Sequence, residues 1–363
     1  MKRAVLLFLA LAFVGGLFAS SFHGISFEEW KTVLELGSPS EKKMALEALG
    51  NMIEPQAEQI LLSYLEHPDL ELRFSAVWSL GQLCSSQAAT SIAWMMGEYQ
   101  DVRIDGALVN IGFPAVPPLV LKLKLAYLMK EMEQGIRISR ILVDIGDPEG
   151  LLEVATFLSN LLGDESYKGH ASSMLSQIGE KAVEPLLIAL RSTYNDEVKV
   201  NIIGTLVQIG DARILSDLYT LSSHPNPAIR RHVANALGRM PSPDNLPYLS
   251  SMLRDGDQSV RIQAIVALGE IKDPSSVSAL MGLLTDMSPV IRAYSAYALG
   301  EIKDVRAVYP LIQLLNDESV LKTVDPRTGK SIEMAVAAFA VEALKKINDP
   351  RGLDELRRRG LLE

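Results

Sequence analysis

The chain has 363 residues, 48% of them hydrophobic and 6% aromatic, with 35 basic against 44 acidic side chains and a net charge of −9. That much apolar side chain excludes a disordered chain, and the acidic balance argues against a nucleic-acid surface. A single cysteine, Cys84, excludes a disulfide framework and a multi-thiolate zinc site.

At the amino end, Lys2 and Arg3 precede an uncharged stretch from Ala4 to Phe18, which exits through Ala19, Ser20 and Ser21. A positive start, an apolar centre and small exit residues describe a secretory signal peptide over 1–21. The stretch falls short of the about 20 apolar residues that a membrane span needs. We therefore expect an exported protein, periplasmic or extracellular, with contact to a membrane only through an uncleaved amino terminus.

From residue 22 to 363 the chain reads as one stack of about ten two-helix units. Phe27, Trp30, Val33 and Leu34 suit a first helix that closes the stack. A leucine anchor then recurs at Leu49, Leu80, Leu108, Leu142, Leu175, Leu206, Leu237, Leu268, Leu299 and Leu344, at intervals of 31, 28, 34, 33, 31, 31, 31, 31 and 45 residues. Such a period marks a repeat protein, in which each unit buries its apolar face only against its neighbours. This also explains how the chain exceeds the about 250–300 residues at which a single core stops growing.

One unit, Asp255 to Asp286, shows the logic. Asp255, Gly256, Asp257 and Gln258 form a polar turn, and Val260-Arg261 opens a helix. Ala264, Ile265, Leu268 and Ile271 share one face at helical spacing, and Gly269 follows the anchor where a neighbouring helix must come close. Lys272-Asp273-Pro274 breaks the pattern, with aspartate capping and proline opening the second helix. Val277, Leu280, Met281, Leu283 and Leu284 make its apolar stripe. Asp147-Pro148 and Asp349-Pro350 repeat the capped entry. Sustained alternation is lacking, so sheet content should be close to nil. Cys84, just past Leu80, is expected in the core.

The long last interval contains an insertion over 319–333, read as a projecting loop or small hairpin around Asp325-Pro326-Arg327-Thr328-Gly329. Gly329-Lys330-Ser331 resembles the end of a phosphate loop, but Val324 stands where that motif needs glycine. The segment 350–363 reads as a cap, with Leu353, Leu356 and Leu361 packed and Arg357, Arg358 and Arg359 solvated.

Paired helices, a Val/Ile-Arg opening, an Ala-Leu-Gly core and an Asp-Pro entry resemble HEAT repeats over roughly 27–356. The short HEAT-like type found in phycobilisome bilin lyases is the most similar. The resemblance implies an all-α solenoid whose anchored helices line a concave side, and an acidic residue six before the arginine that joins it in a ladder. Asp255/Arg261 and Asp286/Arg292 fit that ladder. His67/Arg73, His224/Arg230 and Thr193/Lys199 do not, so it should be broken along much of the chain.

Counted from the Val/Ile-Arg arginine, positions two, five and nine fall on one helix face opposite the core. The ninth is polar in every unit. On this face stand Met44, Glu47, Ser75 and Trp78, then a basic group of Arg103, Arg137 and Arg140. His170, Ser173, Asn201, His232, Asn235 and Arg239 follow, and after them Gln263, Glu270, Tyr294, Tyr297 and Glu301. Exposed tyrosine, tryptophan and arginine favour protein-binding hot spots. His170 and His232 lie two units apart, too far to share a metal, so neither a metal nor a cofactor is expected. With no nucleophile–base pair or catalytic carboxylate pair in view, the expected function is a non-enzymatic scaffold holding a protein or peptide. The bilin-lyase resemblance supplies an alternative, an enzyme subunit acting on a chromophore or chromoprotein. A tethered structural part of an envelope complex is another.

Overall fold

The computed structural model describes residues 21–22, 24–52, 54–324 and 331–362. The expected signal segment therefore lies outside the described residues, apart from Ser21. The described chain is an all-α solenoid. All ten leucine anchors sit in separate helices, Pro39–Leu49, Leu70–Gln82, Val102–Ile111, Met132–Ile145, Lys168–Ile178, Asp196–Ile209, Pro227–Arg239, Gln258–Ile271, Pro289–Ile302 and Val336–Ile347. A second, often shorter helix follows each of them.

Two compact units divide the chain, 1–158 and 159–363, and the division falls inside the helix Pro148–Leu161. In the first, the helix Phe27–Leu36 covers Pro39–Leu49, and anchored helices then stack in order as far as Met132–Ile145. In the second, six anchored helices stack from Lys168–Ile178 to Val336–Ile347, and the terminal helix Pro350–Arg358 closes that end with Leu356 buried. Within each unit, second helices other than Pro148–Leu161 rest on the anchored helix of the following repeat. All ten anchors are fully buried.

The glycine after the anchor sets how closely anchored helices approach. A Cβ on Gly81 would lie 2.5 Å from the Ala107 Cα, and one on Gly300 would lie 2.8 Å from the Ala343 Cα. Gly50, Gly238 and Gly269 meet Ser79, Ala267 and Ala298 in the same way. In every case the partner is the small residue just before the next anchor, so Leu-Gly of one repeat nests on Ala/Ser-Leu of its successor.

Turns follow local chemistry. Asp69, Asp101, Asn195, Asn226 and Asp257 accept backbone N–H bonds at the starts of anchored helices. Asp147, Asp273 and Asp349 cap the entries to the second helices. Five of the anchored helices end on a left-handed residue, which is Gly146 or Gly210 in two repeats and Lys272, Lys303 or Asn348 in three others. This conformation is easiest for glycine. Cys84 takes the same role with φ 52° and is exposed. It is not a core residue, because the helix has ended at Gln82 and the chain is turning outward.

Two small antiparallel pairs are the only strands among the described residues. Ser21–Phe22 pairs with Ile25–Ser26, and in the insertion Val320–Val324 pairs with Ser331–Ala335.

The arginine ladder takes a different form from the one the sequence suggests. Arg73, Arg230, Arg261 and Arg292 donate to the backbone carbonyl of the residue six earlier, and Lys199 does so to Thr193. A carbonyl is present whatever the side chain, so histidine or threonine at that place breaks nothing. The carboxylate comes from the following repeat. Arg230 forms a two-pronged pair with Asp255, and Arg292 another with Asp317, at N–O distances of 2.6–3.2 Å.

Candidate partner-binding site

Tyr294, Tyr297 and Glu301 stand five before, two before and two after the anchor Leu299, a spacing that puts them on one side of the helix Pro289–Ile302. Phe339, Glu342 and Lys346 hold the same three places around Leu344 on Val336–Ile347. Close approach at Gly300 and Ala343 brings the two strips side by side. Between them lies a cavity of about 190 Å³ lined by Tyr297, Ala338, Phe339, Glu342 and Lys346, with Met334 as a wall. Met334 belongs to the inserted hairpin, opposite Leu321 in its register.

The cavity is apolar inside and charged at its rim. The Lys346 ammonium lies 4.9 Å from the centre of the Tyr297 ring and is bonded to Glu301. Lys272 approaches Glu301 from the other side at 3.5 Å. Bonding to Lys346 holds the Glu301 carboxyl below the usual carboxylate range and raises the Lys346 ammonium above the usual lysine range. Lys345 pairs with Glu342 at 3.1 Å. A bulky apolar side chain would be desolvated in this cavity, with the fixed ion pair left to orient whatever it is attached to.

The other residues singled out from sequence divide into two groups. Arg103 is committed to Asp101 and Glu71, and its ring-facing side lies over Phe74 at 5.0 Å. Arg137 grips Asp105 and donates to the carbonyls of Tyr99 and Asp101. Asn201 donates to the Leu162 carbonyl. These three join successive repeats, so of the expected basic group Arg140 alone is exposed without an ion-pair partner among the described residues. Ser75 is buried and bonded to the Glu71 carbonyl.

The second group remains on the surface. Trp78 is exposed, with its ring edge against Gly106. His170, Arg239 and Glu270 are exposed, while His232, Asn235, Gln263 and Tyr294 are half-buried. Burial lowers the His232 pKa, with Arg231 adding to the effect. Among the described residues no group of three or more His, Cys, Asp or Glu side chains is placed to hold a metal ion.

The sequence pattern did not point to Phe339 or Met334. Counting from the Val/Ile-Arg arginine fails in the last repeat, where Ala337 stands in that place. Counting from the leucine anchor finds Phe339, Glu342 and Lys346 at once. Met334 carries no such signal.

A family model of HEAT repeats matches residues 28–109, 183–259 and 246–324, more than half of the chain. The chain belongs to the HEAT-repeat family. A search of curated proteins found no similar sequence. Among solved structures this HEAT-repeat chain is similar to Kap121p bound to Pho4p, at 13% identity and a TM-score of 0.54, with 92% of this chain and 42% of that one covered. Kap121p bound to Nup53p gives 13%, 0.55, 91% and 42%. The karyopherin Kap121p bound to the SUMO protease Ulp1p gives 12%, 0.55, 92% and 42%. At such identities the likeness is one of fold, and the chain spans less than half the length of those structures.

Proposed function

We propose that this HEAT-repeat protein is an exported, non-enzymatic scaffold that holds an extended segment of a partner protein along its anchored helices. One apolar side chain of that segment enters the cavity beside Tyr297. The observation that carries this reading is the cavity itself, an apolar hollow with an aromatic wall and a fixed ion pair at its rim. It lies on the strip where helix periodicity leaves side chains free of core duty. Kap121p, with its similar fold, is described in complex with Pho4p, Nup53p and Ulp1p. The Ala4–Phe18 stretch supports export.

Crosslinking and recovery from the native cell envelope test the reading. Tyr297→Ala combined with Phe339→Ala should lose the partner that the wild type retains. Equal recovery by both proteins would remove the cavity from the binding site. A mature amino terminus close to Ser21, read by mass, is the expected mark of export.

A further inference from the structure

The second helix of the third repeat, Val116–Met129, differs from its counterparts. Leu119, Leu123 and Ala126 are buried on its inner side, as in any solenoid helix. Its outer side is apolar too. Leu121 is 51% exposed and Leu128 75%, with Phe113 at 66% on the corner that leads into the helix. Phe113, Pro117, Leu121 and Leu128 follow one another by four, four and seven residues, which makes one strip about 22 Å long. Trp94, 47% exposed, adjoins it on the preceding second helix. Elsewhere on second helices the pattern is sparser, as with Ile188 on Val183–Ser192 or Tyr309 on Val308–Leu314. A solvated helix needs a polar face, and this one lacks it.

We propose that this outer face is a membrane-surface docking site, laying the helix Val116–Met129 flat on a lipid bilayer. The charges on this helix and at its end identify the occupant. From Gly106 to Lys130 the sequence holds no carboxylate but three lysines, in a chain of net charge −9. Lys122 is buried along its stem and places its ammonium 4.6 Å from the Trp94 ring centre, with no hydrogen bond or ion pair among the described residues. Lys124 reaches outward to Glu153 at 2.8 Å, and Lys130 is exposed at the helix end. Glu98 and Glu131 are the carboxylates near Lys122. Protein interface cores favour arginine and are depleted of lysine. Lysine that extends past an apolar stripe, with tryptophan and tyrosine at its edge, is the chemistry of a helix lying in the headgroup layer. Tyr127, on the same helix, supplies that tyrosine.

The helix lies on the bilayer and does not cross it. Val102–Ile111 and Phe113–Met129 together have the length and apolarity of a span, but they meet at 116°. No single helix among the described residues is long and apolar enough to cross.

The test places an environment-sensitive dye on the strip of the full chain. In a Cys84→Ser background, Leu121→Cys carries the dye, and Ile188→Cys in the other unit serves as control. Vesicles of phosphatidylcholine with phosphatidylglycerol should shift the emission at 121 to the blue and raise it several-fold, leaving 188 unchanged. Adding Leu128→Glu should weaken that response several-fold. Insertion of the amino-terminal stretch alone would leave 121 in water, and an unchanged emission there overturns the proposal. A blue shift at 121 that grows with protein concentration without lipid also overturns it, in favour of a second copy of the chain.

Discussion

Gly81→Ala tests the nesting of one repeat on the next. The new Cβ would lie 2.5 Å from the Ala107 Cα, 2.8 Å from its Cβ and 3.3 Å from its carbonyl oxygen. Carbon atoms rest at about 3.5–4.0 Å, so the helices Leu70–Gln82 and Val102–Ile111 would have to part by roughly 1 Å. The obstructing atoms include backbone, which cannot swing away as a side-chain tip can. Overpacking of this kind costs about 1–3 kcal/mol, while alanine in place of glycine within a helix returns at most about 1 kcal/mol. A net loss of about 1–2 kcal/mol is expected. Gly204→Ala is the matched control, since it sits inside the helix Asp196–Ile209 with no described residue within 4 Å of its Cβ. It should gain about 0.5–1 kcal/mol from propensity and a less mobile unfolded chain. Urea unfolding followed by helical circular dichroism, with unchanged slopes, reads both. If Gly81→Ala matches or exceeds the wild type while Gly204→Ala weakens it, the reasoning fails.

Asn245 is fully buried, donates to the Leu237 and Met240 carbonyls and accepts from the Tyr219 hydroxyl. Asn245→Ala takes the partner from one buried and two half-buried groups and should cost about 2–4 kcal/mol in the same unfolding assay. Ser79 has a buried hydroxyl with no partner among the described residues, at a place where most other repeats have alanine. Ser79→Ala should therefore be neutral or stabilise by up to about 1 kcal/mol, and a loss of stability would reveal a missed bond. Arg137→Ala should lower stability by about 2 kcal/mol, because the side chain joins two repeats. Lowering the pH should unfold the protein in the acid range. Bonding to Arg230, Arg292 and Arg103 holds Asp255, Asp317 and Asp101 below the usual carboxylate range. Stabilisation of that sign is complete above about pH 4 and is lost as pH falls through the lowered values. An acid titration followed by circular dichroism that stays flat down to pH about 2 would contradict it.

The amino-acid sequence by itself determined the repeat. Periodic leucines, Asp or Asn caps and the Leu-Gly pair act within one turn or one neighbour. Helix identity, order and close approach are therefore legible in the residues themselves, as at Gly269. Tertiary structure alone decided which polar side chains are free. Arg137 finds Asp105 thirty-two residues away and Lys346 finds Glu301 forty-five away, and no local pattern separates these from Arg140, which has no ion-pair partner among the described residues. The cavity needed the inserted hairpin to carry Met334 against Tyr297, a placement set by how two elements fold back on one helix. Helices are local bonds repeated along the chain, whereas ion pairs and hollows depend on which faces the stacking brings together.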